Sequence, residues 1–220
     1  MTSAAVKLAS IPAATLSCVC NQTKISIASA PIRRVECCCM DCRKGVAWCH
    51  TAKGGPEPPH PFLVADLVYF PNLLKVECGR EYLKAYLIQQ NYNTRRVVAT
   101  CCWTVLLGDH PAYQQERFVT YPPPAVLSLA SGVQLFPPTR RIFTQDLTPE
   151  ELESLPPLTD TTASSPFPPS PDLKDLQSKF PDYETAQSLI DSFNPILYMD
   201  SNYQGKPTAW NQQFPSGPYH

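Results

Sequence analysis

Cysteine is the residue type in this sequence with the clearest capacity for chemistry, and all ten copies lie between positions 18 and 102. They form three groups and two isolated residues: Cys18-Val-Cys20, Cys37-Cys38-Cys39-Met40-Asp41-Cys42, Cys101-Cys102, and the single Cys49 and Cys78. Structural zinc takes four tetrahedral ligands, usually from cysteine pairs that a tight turn holds together. Six cysteines within residues 18–42 exceed ordinary core usage, so the first two groups predict metal binding.

The spacing predicts two separate metal sites. Cys39 and Cys42 have the spacing of a zinc knuckle, and Cys37 precedes them by two residues with its side chain expected on the same side. These three residues can therefore supply three thiolates to one metal from a single loop. Cys18 and Cys20 can supply two thiolates to a second metal.

Cys101 and Cys102 are expected to complete the second site from a distant strand pair. Adjacent residues of a regular strand face opposite sides, so both reach one zinc only through a bulge or a turn. His50 and His110 are alternatives for a missing ligand, and a redox sensor built on adjacent cysteines is an alternative use of them. The two isolated cysteines are expected to be inert residues of the core.

The N-terminal residues indicate the cellular compartment, and the compartment indicates whether the cysteines form disulfides or bind metal. Lys7, Ser10 and Pro12 interrupt the apolar stretch that a secretory signal needs. This predicts an intracellular protein, cytoplasmic in the first place, with an organelle transit peptide as the alternative. In a reducing compartment, clustered cysteines are more often metal ligands or catalysts than disulfides. No run of 18 apolar residues occurs, which predicts no membrane span.

Charge, proline and cysteine all change near the middle of the 220-residue chain. The net charge is −1, but residues 1–141 hold 15 Lys and Arg against 8 Asp and Glu, while residues 142–220 hold 3 against 11. The second part has twelve of the 25 prolines and no cysteine. A boundary near residues 125–145 follows. The predicted divisions are a leader (1–13), a zinc-binding domain (14–125) and an acidic, proline-rich extension (126–220).

The excess of positive charge in the first part is not arranged for nucleic acid. It contains no run of Lys and Arg that would form a basic stripe, which argues against nucleic-acid binding.

Short alternating or β-branched runs predict a mainly β domain around the cysteines. They cover residues 23–27, 32–36, 62–70, 76–88 and 95–107, the fourth interrupted by a turn at Gly79. No helix longer than two or three turns is expected before residue 110.

The extension predicts less regular structure. Thr148 before Pro149 has the pattern of a helix N-cap, and residues 181–193 form a second weak helical patch. Residues 156–171 are of low complexity and are expected to be extended or disordered. The tail residues Tyr198, Tyr203, Trp210, Phe214 and Tyr219 either pack on the core or dock a protein partner.

The cysteine motifs resemble those of the glutathione-dependent formaldehyde-activating enzyme and centromere-protein-V family. Cys18, Cys20, Ile25 and Ile27 fall on its motif C-x-C-G-x-[VI]-x-[FI]. Cys37, Cys39, Cys42, Arg43 and Lys44 fall on C-H-C-x-x-C-[RQ]-[KR], and Cys102-Trp103-Thr104 falls on C-x-x-C-G-[ST]. The resemblance covers about residues 14–110, with a specific second motif and a weak third one.

This resemblance implies a β-tent fold of small antiparallel sheets with two zinc ions. One zinc is structural, and the other is catalytic, with an open position beside its ligands Cys37, Cys39 and Cys42. The implied activity is that of a carbon–sulfur lyase acting on glutathione-type adducts of small aldehydes. Arg43, Lys44 and Arg34 are then candidates to bind the carboxylates of a small thiol or thiol adduct.

The sequence departs from the family pattern at three places, and free cysteines where other residues are expected favour an alternative. Asn21 replaces a glycine, Cys38 replaces a histidine, and Cys101 stands beside Cys102 where a cysteine three residues away is expected. The alternative is a zinc-stabilised scaffold without turnover, whose aromatic, proline-rich tail docks a protein partner.

Overall fold

The computed structural model describes residues 11–90, 92–158 and 171–199, and within them the protein is mainly β. The strands are β1 (Ala14–Ser17), β2 (Lys24–Ile27), β3 (Arg33–Cys37), β4 (Ala65–Pro71), β5 (Leu74–Cys78), β6 (Leu83–Leu87), β7 (Arg95–Ala99), β8 (Thr104–Asp109), β9 (Arg117–Thr120), β10 (Val126–Leu129), β11 (Arg141–Ile142) and β12 (Leu197–Tyr198). The α-helices are α1 (Met40–Lys53), α2 (Pro149–Ser154), α3 (Leu173–Lys179) and α4 (Ala186–Asp191). No helix in these ranges is both long and apolar enough to cross a membrane.

Two sheets carry the fold. A four-stranded antiparallel sheet has the order β10-β1-β2-β5, and an eight-stranded sheet has the order β11-β3-β4-β9-β8-β7-β6-β12. The larger sheet is antiparallel except at its edges, where β11 and β12 run parallel to β3 and β6. Leu16, Ile25 and Ile27 of the small sheet are fully buried in one core with strands of the large sheet. The predicted mainly β architecture with small antiparallel sheets is confirmed.

Local sequence explains several elements that were expected. The turn at Gly79, with φ +75°, is followed by a 3-10 turn over Arg80–Tyr82 between β5 and β6. The run 95–107 is the antiparallel pair β7 and β8. Helix α2 begins after Thr148, whose side chain accepts from the Glu151 N–H while the Glu151 side chain accepts from the Thr148 N–H. This reciprocal cap satisfies two donors that a helix start leaves free.

Helix α1 corrects the expectation that no helix longer than three turns precedes residue 110, because it has 14 residues. It begins where the Cys39 side chain accepts from the Cys42 N–H at 3.2 Å, and it ends at Gly54, which adopts a left-handed conformation. Cys42, Val46 and Cys49 repeat at helical spacing on its buried face. The predicted cysteine loop is therefore half loop and half first helical turn.

The chain beyond residue 125 joins the same two sheets. Strand β10 pairs with β1, β11 with β3 and β12 with β6. Helix α4, shorter than the predicted patch 181–193, buries Ala186, Leu189 and Ile190 in the core. Asn72 holds the start of α4 in place, because its Oδ1 accepts a hydrogen bond from the Ala186 N–H at 2.8 Å. Helix α3 was not predicted, and most of the segment 156–171 lies outside the described residues.

Candidate metal centres

The first centre joins a turn after β1 to the turn between β7 and β8. Cys18, Cys20, Cys101 and Cys102 offer four sulfur atoms, all within 4.8 Å of one another. The sulfur of Cys18 lies 3.4 Å from that of Cys20 and 3.7 Å from that of Cys101, and the Cys101 and Cys102 sulfurs are 4.0 Å apart. Zinc–sulfur bonds of about 2.3 Å place tetrahedral sulfurs about 3.8 Å apart. The four thiols therefore fit a tetrahedral metal ion.

Two turns allow this convergence. Asn21 adopts φ +61°, the left-handed conformation that asparagine tolerates, and it turns the chain directly after Cys20. Cys101 and Cys102 lie in the turn that follows β7, not on a regular strand, so both sulfurs reach the same side. The two histidine alternatives are elsewhere. His50 Nδ1 lies 2.8 Å from the Gly55 carbonyl oxygen, and His110 Nδ1 accepts from the Ala112 N–H.

Two of the four sulfurs have hydrogen-bond partners that stabilise a thiolate, whereas burial raises the pKa of the Cys101 thiol. The Thr23 N–H donates to the Cys18 Sγ at 3.4 Å, and the Thr104 hydroxyl lies 3.1 Å from the Cys102 Sγ. Burial raises the pKa of the Cys102 thiol, but hydrogen bonds, including that of Thr104, outweigh it and lower the pKa to about 7. Cys18 is buried and Cys20 is exposed, so the centre lies at the protein surface.

The second centre lies where β3 meets α1. Cys37 ends β3, Cys39 caps α1 and Cys42 lies in its first turn, and the three sulfurs are within 4.8 Å of one another. The Cys37 and Cys42 sulfurs are 3.8 Å apart, which again matches tetrahedral zinc. Among residues 11–90, 92–158 and 171–199, no further Cys, His, Asp or Glu joins this group. Three protein ligands leave a tetrahedral metal with one coordination position for another molecule.

This second centre is buried and electrostatically polarised. Cys37, Cys39 and Cys42 are only 1%, 6% and 6% exposed. Hydrogen bonds from the Cys37 and Cys39 thiols, together with the charge of Arg96, hold the pKa of the Cys42 thiol well below its ordinary value. Burial instead raises the pKa of Cys37 well above it. Cys42 is therefore the most readily deprotonated thiol of the three.

Arg96 is the neighbour that sequence reasoning missed. It is 1% exposed, and its Nη2 lies 3.7 Å from the Cys42 Sγ. Burial would lower the pKa of its guanidinium, but nearby Tyr121 and Cys42 outweigh that effect and raise the pKa well above its ordinary value. The only sequence signal for it was a pair of arginines, Arg95 and Arg96, at the start of the run 95–107 that predicts strands.

The remaining cysteines belong to neither centre. Cys38 is buried on the other side of the chain from its neighbours, where burial raises its pKa to about 11. Cys49 is buried beside Tyr86, as predicted for a core residue. The same prediction is wrong for Cys78, which is exposed because it ends the edge strand β5.

The three predicted substrate-binding residues do not converge. Arg34 lies three residues before Cys37 on β3, hence on the opposite face, and its guanidinium pairs with Asp66 at 2.6 Å. Arg43 donates to the backbone carbonyl oxygens of Cys38 and Asp146. Arg43 and Lys44 line a cleft of about 480 Å³ beside α1.

That cleft has mixed charge. Asp146 and Glu151 line it together with Arg43 and Lys44, and Met40 and Phe62 add apolar surface. One carboxylate is engaged already, since Asp146 accepts from the Met40 N–H at 2.9 Å. The cleft therefore presents both positive and negative side chains to a ligand.

No protein-family model and no curated protein sequence matches the chain. Its two cysteine groups could each hold a metal ion. That conclusion rests on geometry alone.

Proposed function

We propose that this is a zinc enzyme similar to the formaldehyde-activating and centromere-protein-V family, which makes or breaks the carbon–sulfur bond in thiol adducts of small aldehydes. One observation carries the proposal: the two cysteine groups differ in ligand number. Four thiols complete a tetrahedron and suit a structural zinc, whereas three thiols leave a position for a substrate. Zinc with an open position acts as a Lewis acid toward oxygen or sulfur.

The reaction is a reversible addition. The sulfur of a thiol forms a bond to the carbonyl carbon of the aldehyde, the C=O π pair moves to oxygen, and the thiol proton ends on that oxygen. The role of the protein is to hold the sulfur as a thiolate and to exclude water around it. The cleft at Arg43 and Lys44 is the candidate site for the charged ends of a glutathione-type thiol.

The substitution Cys39→Ser tests the proposal with little damage to the fold. Serine is a good N-cap, so α1 keeps its first hydrogen bond to the Cys42 N–H while one metal ligand is lost. The expected result is that wild-type protein accelerates exchange between glutathione and its formaldehyde adduct, measured by exchange NMR, and that Cys39→Ser does not.

Cys78→Ser is the matched control, because Cys78 is exposed and belongs to neither group. It should exchange as fast as wild type. Equal rates for wild type and Cys39→Ser, at equal helix content by circular dichroism, would reject catalysis at this centre.

The burial of the three thiols favours a second candidate, a zinc-stabilised scaffold that docks a protein partner through its tail. With the three cysteine residues no more than 6% exposed, the metal would hold β3 against α1 and meet no substrate. Tyr198 is half exposed on the edge strand β12, while the tail aromatics at 203, 210, 214 and 219 lie outside the described residues. A protein with two metals per chain that binds no added thiol would support the scaffold.

A further inference from the structure

Arg96 occupies a place in the core that a charged side chain rarely takes. It lies on β7, between Tyr86 of β6 and Gly108 of β8, and is 1% exposed. Its side chain runs from the large sheet to α1, where its Nη2 reaches the Cys42 Sγ at 3.7 Å. Burying a cation costs several kcal/mol unless an anion compensates it, so its surroundings should reveal that anion.

The helix makes room for this side chain at Gly45. A Cβ atom at that position would lie 3.3 Å from Arg96 Nε and 3.4 Å from the Tyr86 hydroxyl oxygen. Glycine inside a helix is unfavourable by about 1 kcal/mol relative to alanine. The close approach explains why glycine is tolerated here: it lets the guanidinium pass beneath α1 to the three-cysteine centre.

The guanidinium has more donors than the protein uses. Arginine carries five N–H donors. Nη1 donates to the Thr94 carbonyl oxygen at 3.4 Å, Nη2 faces the Cys42 sulfur, and Nε has no acceptor within the described residues. The groups that act on its charge most strongly are the Tyr121 and Tyr86 phenols and the Cys42 and Cys39 thiols, none of them a carboxylate.

Charge counting identifies the compensating anion. Zinc with three thiolates carries one net negative charge, which Arg96 cancels. An anionic fourth ligand then leaves one net negative charge in the core, whereas without Arg96 it would leave two. We propose that Arg96 allows the three-cysteine centre to take an anionic fourth ligand, a thiolate, because its positive charge keeps the centre at one net negative charge instead of two.

This inference rests on the proposed function, because it assumes a metal at Cys37, Cys39 and Cys42. Arg96 acts as a positioning residue for the incoming thiolate. Arg95, its neighbour on β7, faces elsewhere and pairs with Asp109 and Asp191, so it serves as the matched control.

The test uses the full chain with cobalt in place of zinc, because the visible absorption of Co²⁺ reports its ligands. Three probes are titrated in: 2-mercaptoethanol as the thiol, azide as an anion without sulfur, and imidazole as a neutral ligand. The variants are Arg96→Gln, Arg96→Lys and the control Arg95→Gln. Cys39→Ser shows which spectral changes belong to the three-cysteine centre.

We expect Arg96→Gln to bind mercaptoethanol and azide about a hundredfold more weakly, the scale for removing one partner of a buried ion pair. Its imidazole affinity should change by less than about threefold, because a neutral ligand does not alter the charge of the centre. Arg96→Lys keeps the charge and should keep the azide-to-imidazole affinity ratio within about tenfold of wild type. Arg95→Gln should match wild type.

If Arg96→Gln loses affinity for anionic and neutral ligands by the same factor, the inference is overturned. If Arg96→Gln fails to hold cobalt, Arg96→Lys decides: a collapsed azide-to-imidazole ratio in that folded variant overturns the inference, and a retained ratio supports it. Failure of the proposed function gives a different result. In that case the added ligands cause no change in the cobalt spectrum of the wild type that can be assigned to the three-cysteine centre by its absence in Cys39→Ser.

Discussion

Replacing Gly79 by alanine tests how the first metal centre is built. Gly79 adopts φ +75° and lies against the turn that carries Cys18 and Cys20. An added Cβ would come within 2.3 Å of the Gln22 carbonyl oxygen and 2.7 Å of the Thr23 hydroxyl oxygen. The Gln22 oxygen is backbone, so the cysteine turn itself must move.

Two costs add in Gly79→Ala. Left-handed backbone costs a residue with a Cβ about 1 kcal/mol. Forcing an atom into a packed site costs about 1–3 kcal/mol more. The free energy of unfolding should fall by roughly 2–4 kcal/mol. The displaced Thr23 N–H also loses its hydrogen bond to the Cys18 Sγ, so a chelator should extract metal faster.

Gly132→Ala is the matched control, because Gly132 has φ +82° and no atom within 4 Å of an added Cβ. Its free energy of unfolding should fall only by the cost of left-handed backbone, about 1 kcal/mol, and it should release metal at the wild-type rate. The assays are urea denaturation in metal-saturated buffer and chelator-driven metal release. If both variants lose the same stability, the close contact between Gly79 and the cysteine turn is refuted.

Three further predictions concern other parts of the molecule. Cys101→Ser should reduce the bound metal by one ion per chain while Cys78→Ser leaves it unchanged, and equal metal contents by elemental analysis would exclude Cys101 as a ligand. Asn72→Ala should lower the free energy of unfolding by about 2–3 kcal/mol, since the Asn72 side chain bonds both the Ala186 N–H and the Gln115 carbonyl oxygen in a buried position; a loss below about 0.5 kcal/mol would contradict this. Burial, assisted by the charge of Arg96, lowers the pKa of His110 from 6.5 to about 4. The unfolded chain therefore binds more protons between these values, so up to about 3 kcal/mol of stability is present above pH 6.5 and is lost as pH falls toward 4. His110→Asn, which can still accept from the Ala112 N–H, should flatten that loss in pH-dependent denaturation, and an unchanged acid limb would count against it.

Local patterns were sufficient for the strands between residues 23 and 109 and for the cysteine groups, but not for β1 or for β9 to β12. Alternation over residues 23–27 predicted β2, and β-branched residues over 95–107 predicted the β7–β8 pair, because such side chains pack well on a sheet. Knuckle spacing predicted the convergence of Cys39 and Cys42, and the need for a turn predicted how Cys101 and Cys102 share one side.

Helix α1 was not predicted because its first residues are both candidate metal ligands and helix residues. Cys39 and Cys42 were interpreted as ligands on a loop, and Gly45 is a poor helix residue. In the structure the same cysteines cap and begin the helix, and tertiary contact with Arg96 explains the glycine. A tertiary contact that overrides helix propensity in this way leaves no pattern in the local sequence.

The position of Arg96 at the three-cysteine centre likewise could not be predicted from local sequence. Arg95 and Arg96 are identical in type and adjacent in sequence, yet Arg95 pairs with Asp109 and Asp191 while Arg96 is buried beside Cys42. Strand alternation separates their faces but does not tell which face meets α1. That assignment requires the sheet order and the helix position.

The most direct measurement is the number of metal ions bound per chain in protein purified without a chelator, by elemental analysis and native mass spectrometry. The account predicts two zinc ions in wild type and one each in Cys39→Ser and Cys101→Ser, because each variant opens one centre. A single ion in wild type that Cys39→Ser also retains, or two ions retained in Cys39→Ser, would contradict a metal at Cys37, Cys39 and Cys42 and with it the proposed enzyme.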